Sequence, residues 1–301
     1  PNIDDLDPPP WNKPLDFRII CMVFNRAHSL ERLLNSLNTV DYMGAKVLVE
    51  VWLDRSRDDG SIDRSTYITA STFNFLHGDI RVHNHTRHVG IYGQWMGTWK
   101  PAPVSKEIAV FLEDDISVSP HLYRWLKNAH QKYDGRKEIA GYSLQGRSMK
   151  HNGAAGNLKA PKGQFCMLYK VVGSWGFSPQ RENWLKYVEW YKKASKDLTF
   201  SPLVKGILPS HWYQIFIKQG KTESMWTMWH IYYTHINNEF TLYPSFPNNQ
   251  GITINWQESG LHYQKKQTLK KGDPLLTKWN STYDNLPDNP VKLDYGGIVI
   301  S

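Results

Sequence analysis

The sequence has 301 residues, of which 40% are hydrophobic and 21% are charged. This balance is typical of a packed globular chain and excludes disorder over most of the length. No apolar run approaches the roughly 20 residues that span a bilayer. The formal net charge of +8 attracts anions but does not discriminate between nucleic acid, phosphorylated substrates and anionic membranes.

Strand and helix patterns alternate over the first half of the chain. Short apolar runs predict strands buried on both faces, and leucines at helical spacing predict a helix with one apolar stripe. In chain order the predicted elements are a strand over 17–24, a helix with Leu30, Leu33, Leu34 and Leu37 on one face, strands over 46–53 and 80–82, a helix through 94–96 and a strand over 107–112. A helix capped by Ser119-Pro120 completes the first half. This alternation favours a doubly wound parallel sheet.

The second half is less regular, and its elements elaborate one edge of the predicted sheet. The predictions for the second half are a strand over 139–144, a loop over 153–163, a helix capped by Ser178-Pro179, a helix from Glu223 to His235, and a Lys-rich tail from Gln264 that is partly extended or wraps over the body.

Three adjacent acids, Glu113, Asp114 and Asp115, directly follow the most hydrophobic predicted strand. In open α/β sheets ligands bind beyond the carboxyl ends of the strands. Mg²⁺ and Mn²⁺ take carboxylate oxygens and substrate phosphates as ligands. The position therefore favours a site for a metal–diphosphate, and the alternative is a solvated acidic turn that leads into the next helix.

The order of these elements resembles a glycosyltransferase of the GT-A fold. The resemblance rests on Asn25-Arg26 after the first strand, Asp54 after the second, and the segment FLEDDISVSPHLYRWL after 110. It is closest to family 2-like enzymes and to N-acetylglucosaminyltransferases that build N-glycans or extend O-mannose glycans, which carry a Glu-Asp-Asp form of the DXD motif. Similarity continues through 173–177, 242–251 and 259–262, so it covers roughly residues 17 to 262.

The resemblance implies a role for each matching residue, and it implies Mn²⁺ or Mg²⁺ as cofactor with a UDP-sugar as donor. The implied roles are metal ligand for Asp115, contacts near the ribose and the metal's water shell for Glu113 and Asp114, base or ribose contact for Asp54, uridine or phosphate contact for Arg26, and metal or diphosphate contact for His262. The alternatives are a turn or cap acid for Asp54, an exposed helix-start cation for Arg26 and a structural histidine for His262.

A general base is the least defined part of the predicted site. Related inverting enzymes place an acid at a helix start about two dozen residues before a Tyr-Pro segment, and Glu223 has about that spacing to Pro244. The usual paired acids are absent here, since a serine follows Glu223. His211 is the competing base, and a helix N-terminal glutamate stabilised by the helix dipole is the structural alternative.

The chain has an unusually high number of aromatic residues, with 13 Trp, 16 Tyr and 11 Phe. Indole faces pack on the apolar face of a sugar. Four tryptophans lie in the second half, where GT-A enzymes build the acceptor cleft, so one or two of them are expected to contact a glycan or glycoconjugate acceptor; the four are Trp175, Trp212, Trp226 and Trp229. The alternative is that they form core.

The sequence thus predicts an α/β protein with a GT-A, Rossmann-like, mostly parallel central sheet flanked by helices. Residues 1–16 are expected to be a linker or stem remnant, 17–263 the catalytic domain with a nucleotide-sugar half (17–145) and an acceptor half (146–263), and 264–301 a tail packed on it. The predicted function is a metal-dependent, inverting transferase that uses a UDP-sugar. The alternative is a weak or inactive GT-A module that binds nucleotide-sugar or glycan.

Partners other than the donor and acceptor are not indicated. Basic residues are scattered and no nucleic-acid-binding motif stands out, so nucleic acid is not expected as a partner. The acidic, Pro-rich opening suits a stem whose membrane anchor was removed, which slightly favours the Golgi lumen over the cytoplasm. The two cysteines and the glycosylation patterns at Asn84 and Asn280 do not decide the compartment.

Overall fold

The computed structural model describes residues 10–101, 105–154, 156–258 and 274–300. Its elements in chain order are β1 (Phe17–Val23), α1 (Ala27–Leu37), β2 (Val47–Leu53), α2 (Arg64–Thr72), β3 (Gly78–Asn84), α3 (Gly90–Gly97), β4 (Ile108–Glu113), β5 (Ile116–Val118), α4 (Leu122–Tyr133), β6 (Ile139–Ser143), β7 (Cys166–Tyr169), β8 (Phe177–Pro179), α5 (Arg181–Ala194), α6 (Leu208–Gln219), α7 (Thr227–Ile236), β9 (Phe240–Pro244), β10 (Thr253–Asn255), β11 (Lys292–Leu293) and β12 (Val299–Ile300). Short 3₁₀ turns lie at Thr222–Ser224, Pro247–Asn249 and Ser281–Asp284.

The main sheet has the strand order β12-β11-β7-β9-β6-β8-β4-β1-β2-β3. The strands β3, β2, β1 and β4 are mutually parallel, and β6 and β9 also pair in parallel. The short strand β8 runs antiparallel between β4 and β6. A separate two-stranded antiparallel sheet joins β5 to β10. The predicted α/β class with a mostly parallel central sheet flanked by helices is therefore confirmed.

Each face of the sheet packs its own helices, because successive side chains of a strand point to opposite faces. On one face Ile19 and Cys21 of β1 join a core with the leucine stripe of α1 and with α4. On the other face Ile20 and Met22 join a core formed by α3, α5, α6 and α7. A strand buried on both faces has no polar alternation, which is why the apolar runs in the sequence predicted β1, β2 and β4.

Two predicted helix starts are too early. The Ser119 hydroxyl accepts a hydrogen bond from the His121 N–H (3.0 Å), and α4 begins only after that turn. Ser178 and Pro179 belong to β8, which fills the space between β4 and β6, so α5 starts after Gln180. At Ser178-Pro179 the local cap signal is overridden because β8 pairs with β6, whereas Ser119 still caps a turn, which precedes α4.

Glu223 does not begin a long helix. It lies in the 3₁₀ turn Thr222–Ser224, and α7 starts after Trp226. The Tyr92 hydroxyl donates to the Thr222 carbonyl (2.9 Å) and so links this turn to α3.

Residues 274–300 lie against the rest of the molecule. Strand β11 pairs in parallel with β7 and in antiparallel with β12, which extends the main sheet at one edge. The 3₁₀ turn Ser281–Asp284 packs Tyr283 against Phe165 and Phe246. Among the described residues no helix combines the length and apolar character needed to cross a membrane.

Candidate active site

The acidic edge is the turn between β4 and β5, formed by Glu113, Asp114 and Asp115. It lies at the carboxyl end of a strand in the middle of the sheet, as the sequence predicted. Asp114 and Asp115 expose only 3% and 6% of their surface, so this is not a solvated acidic turn. Buried carboxylates require compensation by cations or hydrogen bonds.

Arg26 compensates part of this charge. It occupies the cap position of α1, directly after β1, which runs beside β4. Its guanidinium forms a bidentate pair with Asp114, with Nε 3.1 Å from Oδ2 and the second nitrogen on Oδ1. Another guanidinium nitrogen lies 3.7 Å from Asp115 Oδ2. Arg26 is therefore part of the site and not an exposed helix-start cation.

Asn255 and Trp256 hold Asp115 from the opposite side. The Asn255 amide donates to Asp115 Oδ1 (3.1 Å), and the Trp256 N–H donates to the Asp115 carbonyl (2.8 Å). Asn255 is the last residue of β10, whose pairing with β5 brings it to the acidic turn. Sequence reasoning missed Asn255, since no signal in a three-residue strand indicates its partner.

The carboxyls of the acidic edge ionise less readily than ordinary carboxyls. Burial, together with the charges of Asp115 and Asp114, raises the pKa of Glu113 to about 8. Burial raises the pKa of Asp114 to about 6, although Arg26 acts against the shift. Burial also raises the pKa of Asp115. Burial and mutual repulsion thus disfavour the ionised carboxylates, Arg26 offsets this only in part, and a divalent cation would favour the ionised forms.

The donor atoms at this edge fit a hard divalent cation. Carboxylate oxygens suit Mg²⁺ and Mn²⁺, which are typically bound by one or two carboxylates and completed by substrate phosphates and water. Within the part of the chain that the structure describes, no group of three or more His, Cys, Asp or Glu side chains is placed so that together they could hold a metal ion. His262, the second predicted metal ligand, lies outside the described residues.

Asp54 lies at the end of β2 and anchors the start of α3. Its Oδ1 accepts the N–H groups of Arg55 and Val89, and its Oδ2 accepts the N–H of Gly90, each at 2.8 Å. The His88 ring lies 3.1 Å from Oδ2. Asp54 thus has the geometry of a cap acid, and a nucleotide could bind to it only by replacing one of these partners or by approaching a remaining lone pair.

Glu223, the predicted base, forms an ion pair with Arg57, a residue of the loop that follows β2. This hydrogen-bonded pair lowers the pKa of the Glu223 carboxyl, and more than half of each side chain is exposed. Trp226, three residues later, stacks on Trp95, whose ring N–H donates to Glu113 (3.3 Å). The turn that carries Glu223 is therefore connected to the acidic edge through two indoles.

His211, the competing base, lies in the first turn of α6 and is exposed. Its neighbour Trp212 packs edge-on to His151, with ring centroids 6.0 Å apart. His151 in turn stacks on Tyr169 of β7. These contacts place this part of α6 beside β7, several strands away from β4 in the sheet.

The four tryptophans differ in what they expose. Trp175 is half-buried and lines a small cleft together with Asn255, and Trp212 is 37% exposed. Trp229 packs edge-on to Tyr191. Trp226 is only 2% exposed and stacks on Trp95, so it packs in the core and leaves no indole face for the predicted acceptor contact.

Comparison with known proteins finds likeness only among solved structures. No family model matches the chain, and no curated protein matches it. A fragment of TarS from S. aureus matches with a TM-score of 0.40 and 14% identity over 78% of this chain and 62% of that chain. An active-site variant of LgtC matches with a TM-score of 0.37 and 11% identity, over 66% and 70% of the two chains.

The mannosyltransferase PcManGT from Pyrobaculum calidifontis, in complex with GDP-Man and Mn²⁺, matches with a TM-score of 0.35 and 17% identity, over 57% of this chain and 48% of that chain. The match to the TarS fragment spans 62% of that fragment, which is less than two thirds of its length.

Proposed function

We propose that this protein is a metal-dependent glycosyltransferase of the GT-A type that moves a sugar from a UDP-sugar to an acceptor hydroxyl. The observation that carries the proposal is the acidic edge, where buried Asp114 and Asp115 meet one guanidinium, that of Arg26, at the carboxyl end of β4. The sequence resemblance to the Glu-Asp-Asp form of the DXD motif supports the same reading.

Asp115, Asn255 and Arg26 would have different tasks in this reaction. Asp115 would bind the metal through its carboxylate, while Asn255 orients that carboxylate by donating to Oδ1. Arg26 holds Asp114 in place and contributes positive charge near the position proposed for the diphosphate. A divalent metal, when bound, supplies Lewis-acid stabilisation of the charge that develops on the leaving diphosphate.

The transfer breaks the bond between the anomeric carbon and the diphosphate oxygen and forms a bond to the acceptor oxygen. In an inverting reaction a general base takes the hydroxyl proton, and we assign this role to Glu223. A base must be ionised, but the pairing with Arg57 that lowers the pKa of Glu223 also weakens it as a base until the pair opens. The acceptor would have to replace Arg57 as the partner of this carboxylate.

The exposed pairing of Glu223 with Arg57 also favours a second candidate, a weak or inactive module that binds nucleotide-sugar without turnover. A carboxylate held by a guanidinium at the surface accepts a proton poorly until the pair opens.

A panel of nucleotide-sugars, scored by UDP or GDP release, tests the proposal. We expect UDP release with Mn²⁺ and a glycan acceptor, and its loss with EDTA. Asp115→Asn should abolish Mn²⁺-dependent UDP binding, whereas Asp284→Asn, at an acid paired with Arg124 elsewhere, should not. Tight UDP binding without release supports the inactive module, and metal dependence that survives Asp115→Asn contradicts the assignment of the edge.

A further inference from the structure

A second cleft lies next to the candidate active site and is not used by the proposed reaction. Two loops, residues 158–165 and 245–249, form its walls. Lys159 and Lys162 are exposed at its rim, and none of the residues that line it is acidic. The cleft therefore has a positive charge that nothing in its own walls neutralises.

Some surface lysines among the described residues pair with a carboxylate, but Lys159 and Lys162 do not. Lys132, Lys186 and Lys193 each pair with an acid at the surface. Across the described ranges, no carboxylate lies within ion-pair distance of Lys159 or Lys162. Both ammonium groups are thus available to an anion from outside.

Gln164 supplies a second, independent feature. Its side-chain oxygen is buried at the cleft and has no hydrogen-bond partner. A buried acceptor without a donor is uncommon in folded proteins. Because this oxygen is enclosed by protein, a saccharide hydroxyl would bond to it once the Gln164 side chain turns into the cleft.

The cleft is continuous with the surroundings of Asp115. Gly146 and Asn249 line both this cleft and the smaller one that contains Trp175 and Asn255. Asn255 in turn donates to Asp115. A β-carbon at Gly146 would lie 2.3 Å from the Gln250 carbonyl oxygen, so only glycine allows the two loops to meet there.

We propose that this cleft binds an anionic group, a carboxylate, sulfate or phosphate, carried by the saccharide acceptor. The inference rests on the proposed function, since it places the reacting hydroxyl near the acidic edge and the charged part of the same acceptor on Lys159 and Lys162. The acidic edge is assigned to the metal and the donor diphosphate, so the charged part of the acceptor binds at the lysines instead. The substrate class is therefore an acidic glycan.

The test measures binding of the full chain to three oligosaccharides with one common backbone, which are neutral, uronate-bearing and sulfated. We expect the two acidic forms to bind more tightly than the neutral form and to weaken at 500 mM salt. Replacing both lysines, Lys159→Ala with Lys162→Ala, should weaken acidic binding about tenfold, because each exposed pair contributes modestly. The matched control, Lys186→Ala with Lys193→Ala, removes the same charge from α5 and should leave binding unchanged.

Equal affinity for the neutral and acidic forms overturns the inference, as does unchanged acidic binding in the Lys159/Lys162 variant. A second variant, Gln164→Leu, should weaken all three saccharides alike, because it removes the hydroxyl acceptor and not the charge. UDP binding with Mn²⁺ is measured in parallel. Its absence contradicts the proposed function, whereas loss of charge discrimination with intact UDP binding contradicts only the acceptor class.

Discussion

Two largely buried regions of the molecule, the acidic edge and a layer of aromatic rings, differ in the kind of side chain that they bury. The aromatic layer comprises rings of α5, rings of α7 and the ring of Trp226, the residue before α7. Its members are Trp184, Tyr187, Trp190, Tyr191, Trp226, Trp229, His230, Tyr232 and Tyr233. Its rings contact one another at centroid distances of 4.9 Å (Tyr187–His230) to 6.5 Å (Tyr187–Tyr191). The acidic edge instead places the Asp114 and Asp115 carboxylates beside Arg26.

This difference distinguishes buried residues that are candidates for binding a partner from buried residues that only stabilise the fold. Burying aromatic rings stabilises the fold without requiring any outside partner. Burying like charges destabilises the empty site unless something arrives to compensate them. A buried residue is therefore a candidate for binding when its charge is incompletely compensated, and residue type alone is a poor guide. The four predictions below test this distinction.

The largest effect is expected for Glu223→Gln, at the turn that joins the two regions. Turnover should fall by about 10²- to 10⁴-fold, the usual range for loss of a general base, while UDP affinity stays the same. Initial rates and UDP titrations measure the two quantities. Glu189→Gln, at an exposed glutamate paired with Lys193, is the control. Normal turnover in Glu223→Gln would transfer the role of base to His211 or another group.

Removing a ring from the aromatic layer should lower the free energy of unfolding and leave the affinity for the acceptor unchanged. Trp226→Ala deletes a buried indole stacked on Trp95, and we expect a loss of about 3 to 5 kcal/mol in unfolding free energy. Urea unfolding measures this loss. Trp226→Phe keeps a ring and should leave the acceptor KM unchanged, and Trp212→Ala, at a more exposed indole, is the control for stability. A raised acceptor KM in a stable Trp226→Phe would restore the binding role.

Asn255→Ala sharpens the account of the acidic edge. It removes the amide that orients the Asp115 carboxylate, and loss of a group that orients a metal ligand typically weakens metal affinity by about 10- to 100-fold. Mn²⁺ titration in the presence of UDP measures the change. Asn280→Ala, at an exposed asparagine of the 281–284 turn, serves as control. Unchanged Mn²⁺ affinity would mean that Asn255 is only a packing residue.

The smallest effect concerns the pH dependence of the aromatic layer. Burial lowers the pKa of His230 to about 3, so below pH 6.5 the unfolded chain takes up a proton that the folded chain does not. Stability from this residue is therefore present above about pH 6.5 and is lost as the pH falls towards 3. His151, whose pKa burial lowers to about 4, acts in the same direction.

Replacing His230 by leucine should reduce the fall in Tm on acidification. Each kcal/mol of unfolding free energy that is no longer lost corresponds to about 2 to 4 °C in Tm. Thermal melts from pH 8 to pH 4 measure the slope. His77→Leu, at an exposed ring, is the control and should leave the slope as it is. An unchanged slope in His230→Leu would show that other groups carry the acid sensitivity.

Much of the first half could be predicted from the sequence, because its strands are buried on both faces and therefore read as apolar runs. The position of Glu113, Asp114 and Asp115 after β4 follows from the same pattern. The short strand β8 could not be predicted, because three residues carry no periodicity and a cap signal at Ser178-Pro179 points to a helix instead.

The candidate site was predictable only in part. Arg26 and the acidic trio come from positions directly after strands, and parallel strands bring such positions to one edge of the sheet. The pairing of Glu223 with Arg57 joins residues 166 positions apart, and no local pattern encodes such a contact. The burial of Trp226 is likewise a property of helix packing.

By itself, the sequence determined the α/β class, the alternation of the first half and the location of the acidic trio, since each depends on short-range apolar patterning. Only the tertiary structure decided that Asn255 orients Asp115, that Asp54 anchors α3 and that Trp226 is core. It also decided that no carboxylate among the described residues lies within ion-pair distance of Lys159 or Lys162. The physical reason is that hydrogen bonds, burial and charge compensation depend on which distant segments meet, and that outcome is set by packing over the whole chain.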